Sequence, residues 1–171
     1  PQVPGQFHIL HYGGSQGSRA IGRTLCTAIN DSDDYKNDPN SWLYRTKVIH
    51  QTGSVDYQDF QTRYRNLDAK TIELHEFIYD MPKFYQWADL VICRGGASTL
   101  SELAAFGLPA IVIPLPAADA HQEKNAEILV NAQAACMVLQ KDLTPTRLIQ
   151  EIDKLKKSPE LLTQMRENIG K

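Results

Sequence analysis

Short apolar runs alternate along this chain with longer stretches in which apolar residues recur every three or four positions. Residues 7–12 (FHILHY) read as a first strand, and Ile21, Leu25, Ala28 and Ile29 then mark one face of a helix. Residues 31–41 are rich in Asp, Asn, Ser and Pro and read as a loop. A second strand follows at 43–50. Phe60, Tyr64 and Leu67 then set a helix at i, i+4, i+7, with a third strand at 71–77 and a short helix at 81–87. Residues 90–93 (LVIC) form an uninterrupted apolar run, as in a strand covered on both faces. Leu100, Leu103 and Ala104 predict a helix starting at Ser98 or Thr99, with Gly107 and then Pro109 as stop signals. Residues 110–113 read as a strand, 122–131 as a helix and 135–139 as a strand. Thr144-Pro145 and Ser158-Pro159 each place a cap residue before a proline. The helices they open turn Leu148, Ile152 and Leu155, then Leu162, Met165 and Ile169, inward. About six strands alternating with helices predict an α/β domain built on a doubly wound parallel sheet.

Bulk composition narrows the function classes. At 171 residues, 42% hydrophobic and 22% charged, the chain has the make-up of an ordinary globular domain. A net charge of −2 and the lack of any Lys/Arg run argue against a nucleic-acid partner. No apolar run approaches the ~20 residues of a membrane-spanning helix. Three scattered cysteines, Cys26, Cys93 and Cys136, show no metal or redox spacing and suit a reducing cytosol. The chain opens at Pro1 without an initiator Met or a signal-peptide pattern and reads as a piece of a longer protein.

Two glycine turns carry the candidate chemistry. Gly13-Gly14-Ser15-Gln16-Gly17-Ser18 lies between the first strand and its helix, where unpaired N–H groups and the positive end of a helix dipole suit a diphosphate. It is neither a G-x-G-x-x-G fingerprint nor a Walker loop. A tight turn that binds nothing is the alternative. Arg94-Gly95-Gly96-Ala97 repeats the arrangement after the LVIC strand. Thr99-Leu100-Ser101-Glu102 fits a capping box, in which Glu102 would only return a hydrogen bond to the cap. His121, Gln122 and Asn125 open a helix, and the last two share a face. Their amides suit sugar hydroxyls; a solvated helix start is the alternative. Asp31-Ser32-Asp33 has the form of a metal-holding D-x-D but follows a helix, at the edge of the sheet away from the glycine turns. It reads as a solvated Asx-rich turn. The five histidines have no zinc spacing, so no metal and no cofactor is expected.

Together, Gly13 to Arg19 (GGSQGSR), Phe77 to Met81 (FIYDM), Arg94 to Glu102 (RGGASTLSE), Gly107-Leu108-Pro109, His121-Gln122 and Asn125-Ala126 stand in a telling order. Over nearly its whole length the chain resembles the donor-binding half of the MurG family of bacterial GT-B transferases. Those enzymes move N-acetylglucosamine from UDP-N-acetylglucosamine to lipid I, forming lipid II in peptidoglycan synthesis. The resemblance implies a substrate-binding set of Gly13, Gly14, Ser15, Gln16, Gly17, Phe77, Ile78, Arg94, Gly95, Gly96, Ala97, Ser98, Thr99, Leu100, Ser101, Glu102, His121, Gln122 and Asn125. In it, residues 97–101 meet the diphosphate and ribose, and Glu102 accepts from the ribose hydroxyls. Ile78 meets uracil through its backbone, with Phe77 packed nearby, and Gln122 meets the sugar. A general base is implied on an N-terminal acceptor domain that this chain lacks. That domain would also hold the lipid I site and a patch facing the inner side of the cell membrane. Gly95 stands where the family more often has Ser or Ala, which implies a looser loop. Rival readings are a UDP-N-acetylglucosamine 2-epimerase, a dinucleotide oxidoreductase, and a non-catalytic UDP-sugar module that needs a separate partner.

Overall fold

The computed structural model describes residues 2–13, 19–117 and 120–171. Six strands form one parallel sheet: β1 (Phe7–His11), β2 (Thr46–Gln51), β3 (Ile72–His75), β4 (Leu90–Cys93), β5 (Ala110–Val112) and β6 (Ala135–Met137). Their spatial order is β3-β2-β1-β4-β5-β6, so the doubly wound expectation holds. The strands are shorter than their apolar runs suggest. Leu43, for example, precedes β2 yet is buried in the core, because hydrophobicity reports burial and the ladder reports pairing.

Among the described residues seven α-helices connect and cover the strands: α1 (Arg19–Ser32), α2 (Tyr57–Arg63), α3 (Met81–Trp87), α4 (Ala97–Phe106), α5 (His121–Asn131), α6 (Pro145–Lys156) and α7 (Pro159–Ile169). Alternate strand residues face opposite layers. Ile9, Val48, Leu90, Ile92 and Ile111 pack with Ile21, Leu25 and Ile29 of α1, Phe60 of α2, and Leu148, Ile152 and Leu155 of α6. Leu10, Ile49, Val91, Cys93 and Val112 pack on the other face with Tyr85 of α3, Leu100 and Leu103 of α4, and Ala126 of α5. The chain thus changes layers between α2 and α3. The carboxyl ends of β1 and β4 then flank a topological switch point, where open α/β sheets bind ligands.

Several stop and start signals act as read. Asp80 caps α3 by accepting from Lys83 N, and Thr144 caps α6 by accepting from Arg147 N at 3.1 Å. Gly107 ends α4 in the left-handed region at φ 63°, with Leu108 N closing on Leu103 O at 3.0 Å. Ser158 occupies the cap position of α7, but its side chain makes no cap bond. Residues 31–41 are more ordered than the expected loop. α1 runs through Ser32, a 3-10 turn covers Asp33–Tyr35, and Trp42 Nε1 donates to Ser32 Oγ at 2.8 Å.

Candidate functional site

The carboxyl ends of β1, β3, β4 and β5 open onto one rim, and the turns that follow them carry the residues singled out above. Of the first glycine turn only Gly13 is described; Gly14, Ser15, Gln16, Gly17 and Ser18 lie outside the described residues.

At the second turn the two glycines admit the chain to the helix earlier than expected. α4 starts at Ala97, with extended Gly96 at its N-cap and no side-chain cap bond. Thr99 is therefore the third helical residue rather than the cap, and the capping box does not form. Ala97, Ser98 and Ser101 are exposed at this helix start. Leu100 turns its side chain into the core, and its N–H donates to Gly96 O at 3.0 Å.

Glu102 instead faces α3. Its Oε2 accepts from Tyr85 Oη at 2.5 Å, and Tyr85 Oη lies 2.7 Å from Tyr12 Oη. Both tyrosines are buried, and burial holds both phenols well above their usual pKa, so they stay protonated donors. Tyr12 immediately precedes the first glycine turn.

Gly95 is where the expectation of a looser loop fails. Its N–H donates to Gln122 Oε1 at 3.0 Å and its carbonyl accepts from Asn125 Nδ2 at 3.0 Å. A Cβ here would stand 2.5 Å from the Gln122 carbonyl oxygen. Glycine thus tightens the contact between this turn and α5. Gln122 Oε1 also accepts from Leu115 N at 2.9 Å, so one amide ties the β4–α4 and β5–α5 loops together. Buried Arg94 serves the same join, donating from one guanidinium nitrogen to the carbonyls of Ile113 (3.2 Å) and Pro114 (3.3 Å). Burial lowers its pKa from the ordinary value. His121, the first residue of α5, is exposed.

At the β3 end, Phe77 and Ile78 lie beyond the strand rather than closing it. Ile78 is buried and its N–H donates to Gln51 Oε1 at 2.8 Å, which pins the loop to the end of β2. Phe77 is 57% exposed and makes an edge contact with Tyr79, which is 91% exposed. Beneath the rim, buried His11 donates from Nδ1 to Ile92 O at 2.9 Å, and its ring lies 4.8 Å from that of His50. Desolvation lowers the His11 pKa to about 4 and pushes the Cys93 thiol up to about 12. Among the described residues no three His, Cys, Asp or Glu side chains are grouped to hold a metal ion. Asp33 pairs with Lys36 at 3.1 Å.

Nothing in the sequence marks Tyr12, Gln51 or Tyr85 as part of this rim. Each is a polar residue whose partner is distant in sequence, and no local pattern marks it.

Residues 8–171 match the model of the glycosyltransferase family 28 C-terminal domain. The chain belongs to that family. It is 49% identical over 164 residues to the UDP-N-acetylglucosamine--N-acetylmuramyl-(pentapeptide) pyrophosphoryl-undecaprenol N-acetylglucosamine transferase of Bdellovibrio bacteriovorus. That alignment covers 96% of this chain and 44% of the relative, so the chain spans less than half the relative's length. The fold superposes on the crystal structure of Acinetobacter baumannii MurG with a TM-score of 0.83 at 35% identity, covering 99% of this chain and 46% of that one. A UDP-GlcNAc 2-epimerase from Neisseria meningitidis, solved with UDP-GlcNAc bound, gives a TM-score of 0.68 at 12% identity over 98% of this chain and 41% of that one. At that identity it shares the fold alone. As a family 28 C-terminal domain, the chain has a GT-B Rossmann-like architecture. Among the described residues no helix is long and apolar enough to cross a membrane.

Proposed function

We propose that this chain is the donor-binding part of a transferase that moves N-acetylglucosamine from UDP-N-acetylglucosamine to lipid I. One observation carries this reading: on a single rim, α4 begins without a side-chain cap, the Ile78 backbone is pinned by Gln51, and Glu102 is held by Tyr85. The 49% identical transferase of the same family supports the choice of donor and acceptor.

The chemistry follows from these groups. N–H groups of Ala97, Ser98 and Thr99, at the positive end of the α4 dipole, meet the diphosphate, together with residues 13–17. Glu102 accepts from the ribose hydroxyls, and the backbone carbonyl of Ile78, whose N–H is already given to Gln51, meets uracil beside Phe77. Gln122 Oε1 and Asn125 Nδ2 already bind backbone, so Gln122 Nε2 and Asn125 Oδ1 are the atoms turned to sugar hydroxyls, with His121 adjacent. Arg94, Gly95, Gly96, Leu100 and Ser101 shape the turn. During transfer the acceptor hydroxyl attacks the anomeric carbon with inversion and the bond to the UDP oxygen breaks. The charge gathering on the departing diphosphate is stabilised by preorganised N–H groups, with no metal required. The proton of the acceptor hydroxyl goes to a base outside this chain. That base, the lipid I site and a peripheral attachment to the inner membrane face belong to an N-terminal acceptor domain elsewhere in the protein.

Calorimetric titration with UDP-N-acetylglucosamine, UDP-galactose and NAD tests the assignment. UDP-N-acetylglucosamine should bind best. Glu102→Ala should weaken it by about ten- to a hundredfold, since a hydrogen bond to a charged group is worth about 1.5–3 kcal/mol. Preference for NAD, or unchanged affinity in the variant, overturns the proposal.

A further inference from the structure

We infer that Tyr85 is a positioning residue for Glu102, and that the Tyr12–Tyr85 pair fixes which face of the carboxylate is offered to a ribose diol. The inference rests on the proposed role of Glu102.

The polarity of the chain of hydrogen bonds is dictated by its acceptor end. An ionised carboxylate can only accept, so Tyr85 Oη–H must donate to Glu102 Oε2 across the 2.5 Å contact. That spends the one proton Tyr85 has. Across the 2.7 Å contact Tyr85 Oη therefore accepts and Tyr12 Oη–H donates. Every proton in the series Tyr12, Tyr85, Glu102 points toward the carboxylate.

The two tyrosines are rigid. Tyr85 is 3% exposed and Tyr12 8% exposed, and their rings meet edge to face with centroids 5.9 Å apart. The ring of Phe106 of α4 also packs on Tyr85, with ring centroids 5.0 Å apart. Glu102 itself is exposed on α4 and would otherwise sample several rotamers. The Tyr85 bond selects one of them before ligand arrives and occupies one lone pair of Oε2. Oε1 and the remaining lone pair of Oε2 are left for two vicinal hydroxyls. Tyr12 follows β1 directly, so the tyrosine pair joins the carboxyl end of that strand to the carboxylate.

The test is calorimetry of UDP and of 2′,3′-dideoxy-UDP, which lacks the diol, on the parent chain and its variants. Tyr85→Phe should weaken UDP by about five- to tenfold and leave dideoxy-UDP within about twofold. Because that variant strands the buried Tyr12 hydroxyl, Tyr12→Phe/Tyr85→Phe provides a second route. It removes both polar partners at once, keeps the ring packing, and should show the same selective loss. Equal weakening of both nucleotides in the variants marks a merely structural tyrosine and overturns the inference, as does no weakening of either. Glu102→Ala serves as the reference. If it leaves the ratio of UDP to dideoxy-UDP affinity unchanged, the ribose role of Glu102 falls, and the positioning role with it. If Glu102→Ala collapses that ratio while the tyrosine variants keep it, only the positioning role falls.

Discussion

Acid should loosen this domain well before its carboxylates are neutralised, because of two histidines buried under the rim. His11 is fully enclosed, its Nε2 has no hydrogen-bond partner among the described residues, and Arg94 adds a repelling charge. Its pKa falls from 6.5 to about 4, chiefly by desolvation. His50, whose ring lies 4.8 Å away and whose Nδ1 meets Tyr64 Oη at 3.1 Å, is also lowered well below its ordinary value by burial. The unfolded chain therefore binds protons first. Stability from the neutral imidazoles is fully present above about pH 6.5 and is lost as pH falls toward 4. The gap in the His11 pKa, at about 1.4 kcal/mol per pH unit, sets a limit of about 3 kcal/mol. About 2 kcal/mol of that is gone at about pH 5, with His50 adding in the same direction. Urea unfolding at constant ionic strength reads the loss directly. With a urea slope of about 2 kcal/mol per molar, the midpoint should drop by about 1 M between about pH 7.5 and pH 5. A flat midpoint over that range refutes the reasoning. So does an NMR titration of the folded domain that places the His11 ring near its ordinary pKa.

Two further outcomes follow from the join between the β4–α4 turn and the β5–α5 segment, and a third from the proposed metal-independent chemistry. Gly95→Ala drives a Cβ to 2.5 Å from the Gln122 carbonyl oxygen and should cost about 1–3 kcal/mol. The melting temperature should fall by several degrees with a loss of UDP-N-acetylglucosamine affinity, whereas melting with the parent refutes the close approach. Arg94→Met keeps an unbranched stem but strands the carbonyls of Ile113 and Pro114, each worth about 1–3 kcal/mol when left unpaired. Scanning calorimetry should show the drop, and an unshifted transition refutes the clamp. Binding of UDP-N-acetylglucosamine should stay within about twofold when excess EDTA is added; loss on chelation refutes a metal-independent site.

The layers of the fold were legible because hydrophobic periodicity is a local property. LVIC announced a doubly covered strand, and Leu148, Ile152 and Leu155 announced the buried face of α6, because each pattern needs only its neighbours to be read. Element ends were less legible. Thr99 looked like a cap from its spacing to Glu102, but two preceding glycines let the helix begin at Ala97 and made the spacing irrelevant. Ser158 had the composition of a cap without the bond.

Hydrogen-bond partners were the least legible feature, since a side chain carries no sign of which distant group it will meet. The amide chemistry of Gln122 and Asn125 suits sugar hydroxyls. Folding brings them against the Gly95 backbone, 27 and 30 residues away, where each spends one hydrogen bond. Local spacing leaves Glu102 between a cap and a ligand role, and in the fold it meets a tyrosine 17 residues earlier in the chain. Residue types and their spacing along the chain were enough to specify a parallel sheet with glycine turns on one rim. Which donors and acceptors on that rim stay open for a ligand depends on how the strands are ordered in space, because the β4 and β5 ends must lie side by side before Arg94, Gly95, Gln122 and Asn125 can engage one another.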